Sequence, residues 1–195
     1  MDEDSPIMKL GSLALHLSLM ALALAVPPAG AQDVLVDKSE IRFVAKQLGV
    51  NVEGRFRKWK ASVVFLPADL AKSKAEFDID LASIDLASED SEREIRDRLW
   101  FDTTKFPVAH FSSTAIKDLG GDKYEVAGAL TLKGVKRDLV VPVTVKKDGA
   151  GNRVGEGSFT LLRLDYNIGT GMWADTKTVT NEVAVRVRIV LPPAM

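Results

Sequence analysis

Tyr124-Glu-Val-Ala-Gly-Ala-Leu-Thr-Leu-Lys-Gly-Val-Lys-Arg-Asp-Leu-Val-Val-Pro-Val-Thr-Val145 reads as a β-hairpin turning at Lys133-Gly134. A two-residue loop there pairs Leu132 with Val135, Leu130 with Arg137, Gly128 with Leu139, Val126 with Val141 and Tyr124 with Val143. Opposed residues share one face of a sheet, so this register gathers nearly all the large apolar side chains on one side. Glu125, Thr131, Lys133, Lys136 and Asp138 fall on the other. A slip of one residue would undo that sorting, which is what specifies the register. Lys-Gly is a weaker turn signal than Asn-Gly, because a primed turn needs positive φ at both central positions. Pro142 has no N–H to give. This register aims it at the following strand, so a ladder bond must be missing there or a bulge present.

The same alternation extends outward in both directions. Ser39 to Gln47 places Ile41, Phe43 and Ala45 on one face. A turn at Leu48-Gly49 returns the chain with Ala45 opposite Val52, Phe43 opposite Gly54 and Ile41 opposite Phe56. Inward glycines opposite large side chains leave room for them and let a sheet bend, as a closing barrel requires. That strand continues to Leu66, with a bulge expected near Lys58 to Lys60. Ala75, Phe77, Ile79 and Leu81 mark the third strand. Later strands are expected at Val108 to Lys117, at the two arms of the hairpin, at Arg153 to Asp165 and at Val179 to Leu191. Turns at Gly120-Gly-Asp122 and Asp148 to Asn152 separate them.

After the third strand the period changes. Ser88 or Ser91 can cap a helix, and Glu89, Asp90, Glu92 and Glu94 suit its positive end. Glu89–Arg93, Glu92–Arg96 and Glu94–Arg98 stand at i,i+4 in the favourable order. The acids lack calcium-loop spacing, so a solvated helix is the reading they support. The expected fold is therefore all-β, an eight-stranded antiparallel barrel with one short helix inserted after the third strand. Eight strands can enclose one small ligand.

The chain has 195 residues, enough for one domain with a sizeable core. Met8-Lys9, the apolar run from Leu10 to Val26 and the small residues Ala29-Gly-Ala31 form a secretory leader, residues 1–31, cut after Ala31. The acidic opening is atypical of a leader and points to Met8 as the true start. Residues 1–31 carry three acids and one lysine, leaving 25 basic against 24 acidic residues in residues 32–195. Near-neutral charge argues against nucleic acid as the main partner. With no cysteine, an exported domain must rely on its apolar core. An outer-membrane barrel would turn its apolar face outward, whereas here the face opposite the apolar one is rich in Lys, Arg, Asp and Glu.

Catalytic signals are sparse. Outside the leader the only histidine is His110, and no serine lies in a nucleophile-elbow context. His110 reads as a packing or surface residue. The usual His- and Cys-based zinc sites have no candidates, and neither glycine pair, 149/151 nor 155/157, opens a helix that could cradle phosphate. Arg55-Phe-Arg-Lys-Trp-Lys60 is basic with interleaved aromatics and reads as a solvated strand edge.

Three segments resemble the YceI-like family of lipocalin-like, polyisoprenoid-binding proteins. They are Arg96 to Asp102 with Phe106-Pro107, Phe111 and Ser113-Thr114; Gly128 to Arg137; and Arg163-Leu-Asp-Tyr-Asn-Ile-Gly169 with Trp173-Ala-Asp175. Where many members carry Phe-Phe-Asp after a His–Leu pair, this chain has Arg98-Leu-Trp-Phe-Asp102. The resemblance implies a periplasmic barrel around an elongated apolar cavity for a polyprenyl chain, an isoprenoid quinone, or a fatty acid or amide, in some members linked to stress responses. It implies no catalytic residue, no metal and no cofactor other than bound lipid.

Strand parity then assigns the candidate ligand-binding residues. Ile41, Phe43, Val52, Phe56, Phe77, Ile79, Leu81, Phe111, Val126, Leu130, Leu139, Val141, Phe159, Leu161 and Val185 face inward, and Trp100 and Phe101 sit in a segment from Ser88 to Phe106 expected to cover one mouth. Arg163 shares parity with Phe159 and Leu161, against the rule that arginine is rarely buried unpaired. It is expected either to pair with Asp165 or Asp175 or to meet the lipid's polar end, with Arg137 a second candidate at the rim. Transient contact with a membrane surface follows from carrying lipid. The oligomeric state stays open, a dimer included. A side-chain-filled structural barrel and an enzyme acting on a lipid are the alternatives.

Overall fold

The computed structural model describes residues 32–193, so the leader and its cleavage after Ala31 lie outside the described residues. Ten strands form one antiparallel sheet that curls on itself: β1 (Glu40–Gln47), β2 (Val50–Phe56), β3 (Trp59–Val64), β4 (Lys74–Asp80), β5 (Ile84–Asp85), β6 (Val108–Gly120), β7 (Lys123–Leu132), β8 (Val135–Lys147), β9 (Arg153–Leu162) and β10 (Glu182–Leu191). Their order is β3-β4-β6-β7-β8-β9-β10-β1-β2-β5. One helix, α1 (Glu89–Arg96), follows β5.

The β7–β8 hairpin forms in the expected register, pair for pair. Its turn adopts positive φ at both Lys133 (48°) and Gly134 (75°), as a primed turn demands. The β8–β9 ladder stops at Val143↔Gly157, next to Pro142, which is the interruption the missing N–H required. In β1–β2, Phe43 opposes Gly54 and Ala45 opposes Val52. A Cβ on Gly54 would lie 2.3 Å from Phe43 Cζ, so the ring occupies the space that the glycine leaves. Gly128 serves likewise, although the ring it admits is that of Phe111 rather than Leu139.

Ten strands replace the expected eight because one long strand is interrupted and a two-residue strand, β5, is added after the turn that follows β4. The strand expected from Val50 to Leu66 breaks at Arg57-Lys58, where both backbone N–H groups donate to Ser83, to its carbonyl and to its Oγ. The inward parity shifts there from Val52, Gly54 and Phe56 to Trp59, Ala61 and Val63, the one-residue insertion of a bulge. The bend ends the β1–β2 ladder at Arg42↔Arg55, so the expected pairing of Ile41 with Phe56 does not form. Phe56 instead opposes Ile84 in β5, while β3 pairs with β4 through Trp59↔Ile79. At the C-terminal side β9 ends at Leu162, where Arg163–Tyr166 form a 3-10 turn, and β10 begins at Glu182, Val179 making only an isolated bridge to Gln47.

Ser88 caps α1, its Oγ accepting from the Ser91 N–H. Of the expected i,i+4 pairs only Glu92–Arg96 closes, at 2.9 Å. Arg93 turns to Asp90, and Arg98 lies past the helix end. Two buried clusters adjoin on the inner face and share Phe56, Phe77 and Ile79 at their border. One gathers Leu81, Trp100, Leu132, Tyr166 and Ile168 beneath α1; the other gathers Trp59, Val63, Phe65 and Leu191.

Candidate ligand cavity

Members of both clusters line a cavity of about 530 Å³, within the size range of small-molecule sites. Every residue that parity placed inside contributes to its wall: Ile41, Phe43 and Val52 from β1–β2, Phe56, Phe77, Ile79 and Leu81 from β2, β4 and the turn after it, and Phe111 from β6. The hairpin adds Val126, Leu130, Leu139 and Val141, and β9–β10 add Phe159, Leu161 and Val185. Trp100, Phe101 and Arg163 line it as well. Phe106, expected to share in covering the mouth, instead lies against the hairpin turn, its ring 2.7 Å from where a Cβ of Gly134 would stand.

Apart from Arg42, an exposed residue of β1 at the edge of the lining, the polar groups collect at the ends. Gln47, Asp90, Ser91, Glu94 and Arg163 stand at the α1 end; Tyr124 and Arg153 stand at the other. Residues 88–106 do cover the α1 end, and hydrogen bonds hold them there. The Trp173 indole N–H donates to Glu94 Oε1 at 2.9 Å, joining the loop after β9 to α1. Leu99 O accepts from the N–H groups of Gly169 and Thr170. Lys133 Nζ, in the hairpin turn, donates to Arg98 O at 2.9 Å and to Asn167 O at 2.7 Å. Burial pushes the Lys133 ammonium below its ordinary pKa, with nearby Asp102 opposing that shift.

Arg163 is 1% exposed and takes neither expected partner. Its Nε donates to Thr180 O, Nη1 to Ile168 O and Gly169 O, and Nη2 to Trp173 O and Val179 O. All five donors of the guanidinium fork end on backbone carbonyls. Among the described residues no carboxylate meets it, and no donor is left for a lipid head. Asp165 offers only its carbonyl, to Arg137 Nε at 2.9 Å, which keeps Arg137 exposed at the rim. Trp100 packs over the Arg163 guanidinium at 5.8 Å and against Trp173 at 5.5 Å. Gly169 must be glycine. Its φ is +68°, and a Cβ there would sit 2.5 Å from Arg163 Nη1.

Residues that the sequence reading passed over also matter. Arg153 shares the inward parity of Phe159 and Arg163, the signal that could have found it. Lys133 could not be found that way, because its outward parity says nothing of the loops it ties. His110 lies on the outer face, its Nδ1 2.7 Å from Asp78. Arg55 and Arg57 of the basic stretch pair with Asp85, while its Trp59 is buried in the core. Among the described residues no group of three His, Cys, Asp or Glu side chains is placed to hold a metal.

Residues 33–191 match the YceI-like domain. The chain belongs to the YceI-like family. This YceI-like chain is 32% identical over 170 residues to a UPF0312 protein of Vibrio vulnificus, the match covering 80% of this chain and 90% of the relative. Among solved structures, BcnA of Burkholderia cenocepacia is 40% identical and superposes with a TM-score of 0.78, over 81% of the YceI-like chain and 99% of its own. A polyisoprenoid binding domain from Saccharophagus degradans, implicated in plant cell wall breakdown, superposes with a TM-score of 0.65 at 18% identity, over 84% of this chain and 98% of that one. That last likeness is one of fold.

Proposed function

We propose that this chain is a periplasmic binding or carrier protein that holds one long-chain amphiphilic lipid, of the isoprenoid, quinone or fatty acyl type, inside its curled sheet. The observation that carries this reading is the cavity itself, an apolar wall continuous over every strand from β1 to β10, with its polar groups gathered at the ends apart from the exposed Arg42 of β1. The end strands of the sheet, β3 and β5, continue β2 and β4 directly in the chain, which supports a barrel of eight ribbons closed around that cavity. A structural barrel would fill the same space with side chains, as protein interiors normally do. Each methylene moved from water into such a site contributes about 0.8 kcal/mol, so a tail alone can supply strong binding without any catalytic group. The description of the Saccharophagus domain, a relative in fold, points the same way. Export rests on the leader read in residues 1–31; N-terminal sequencing of periplasmic protein should begin at Gln32.

Native mass spectrometry of gently purified protein, followed by organic extraction, tests the reading. The expected result is a bound mass that is released by solvent and identified as an amphiphile with a long apolar chain. Protein that emerges lipid-free and does not take up prenyl or acyl amphiphiles from detergent would sink it.

A further inference from the structure

The two arginines that bracket β9 on its inward row differ in a way that assigns them different work. Arg153 opens the strand and Arg163 follows its end, ten positions apart on the same inward row, or about 33 Å at strand spacing. Arg163 is saturated by carbonyls. Arg153 is not. It is 8% exposed and lines the cavity, yet only its Nη1 has a partner, donating to Phe65 O at 3.1 Å. Among the described residues nothing accepts from its buried Nε and Nη2, and no carboxylate pairs with it. Buried donors are almost always satisfied, so an exception asks for a partner.

The chemistry of that exception is specific. Nε and Nη2 form one edge of the guanidinium plane, and two parallel N–H groups on such an edge match the two oxygens of a carboxylate or phosphate. Phe65 holds the group in place. The guanidinium carbon stands 5.9 Å from its ring centre, and Tyr124, a second polar liner of this end, packs edge-on to the same ring at 5.2 Å. Trp100 Nε1 is the other cavity-lining nitrogen without a partner among the described residues, but it is a single neutral donor at the α1 end. A buried cation with an open bidentate edge is a far stronger site for an anion.

We propose that Arg153 is the anchor for an oxyanion-headed lipid, a carboxylate or a phosphate, bound with its head at the end remote from α1 and its tail running toward α1. The proposal rests on the lipid-binding reading above and adds the class and direction of the ligand. Affinity for matched probes separates the two: oleate against oleyl alcohol for a carboxylate head, and farnesyl phosphate against farnesol for a phosphate. The wild-type protein should prefer the anion of at least one pair by about tenfold or more. Arg153→Met should reduce that preference to within twofold while leaving oleyl alcohol and farnesol at wild-type affinity. The carboxylate and phosphate pairs identify which head the site takes.

Equal affinities within both pairs, or a preference that survives in R153M, would overturn the anchor and leave lipid binding standing. Failure of the wild-type protein to bind any of the four would remove both. Should R153M not fold, wild-type protein with [1-13C]oleate decides. A carboxyl beside Arg153 must titrate below the ordinary carboxylate range, and a bound resonance titrating at or above it would overturn the assignment.

Discussion

Arg163 shows how a single side chain can substitute for a stretch of secondary structure. After Leu162 the chain leaves the sheet, and the carbonyls of residues 168, 169, 173, 179 and 180 have no ladder to join. One guanidinium collects all five. Removing it should strand buried acceptors and loosen two loops together, so Arg163→Met is expected to cost about 3 kcal/mol or more in lipid-free protein. Denaturant unfolding measures this; a loss under about 1 kcal/mol would show that water replaces the fork without difficulty. Strand parity buries Arg163, as the structure does, but names no partner for it. Loop carbonyls carry no side-chain signature, whereas the two acids weighed as partners, Asp165 and Asp175, are visible in the sequence. The same parity holds for Arg153, which the sequence reading passed over, and the structure shows that one of these arginines is satisfied and the other is not.

At the scale of elements, the joints between strands are where sequence reading ran short. Alternation made the strands and the main hairpin register legible, because a period of two repeated over many residues has one solution. The break at Arg57-Lys58 was less so, since Ser83 stabilises it from elsewhere in the chain. Beside that break, Asp85 accepts from Arg57 Nη2 and Arg55 Nε, both at 2.9 Å. The Arg57 contact first, then Arg55, holds the Asp85 carboxyl down from 3.8 to about 2. A depressed folded-state pKa means the contribution is complete above 3.8 and disappears as pH falls toward 2. Asp85→Asn should therefore be less stable than wild type by a constant margin above about pH 5, with the two converging on acidification. Urea midpoints across that range would show it, and parallel curves down to the acid limit would contradict it. The cover at the α1 end is another joint, tied by Trp173 to Glu94 and by Lys133 to residues 98 and 167. Trp100 lies beneath those ties and lines the cavity. Trp100→Ala should speed release of a bound lipid by several-fold, read by stopped-flow transfer to acceptor vesicles. Release at the wild-type rate would reduce the ring to a packing group.

At the scale of the whole molecule, the cavity's finite size makes the lipid-binding reading quantitative. Adsorption on an exposed apolar patch would keep strengthening, slowly and without limit, as a chain lengthens. A cavity of about 530 Å³ cannot. While each added methylene still enters the cavity, affinity should rise by about 0.8 kcal/mol, or roughly fourfold, per carbon. Once the space is full, further carbons must stay in water, protrude at the α1 end or strain the wall, and the gain should stop or reverse. A series of straight-chain alcohols from decanol to docosanol, measured by displacement of a fluorescent probe, should thus give a steep rise followed by a clear break. Alcohols are the useful series because their heads make no demand on Arg153, so the slope reports the wall alone. The break should move to shorter chains when wall residues are enlarged near the middle of the cavity, as with Val185→Phe, and stay in place when outer-face residues such as Arg186 are changed. A slope without any break, or one indifferent to Val185→Phe, would mean that the chains bind outside the curled sheet, and the interior would then have to be explained as a packing fault rather than a site.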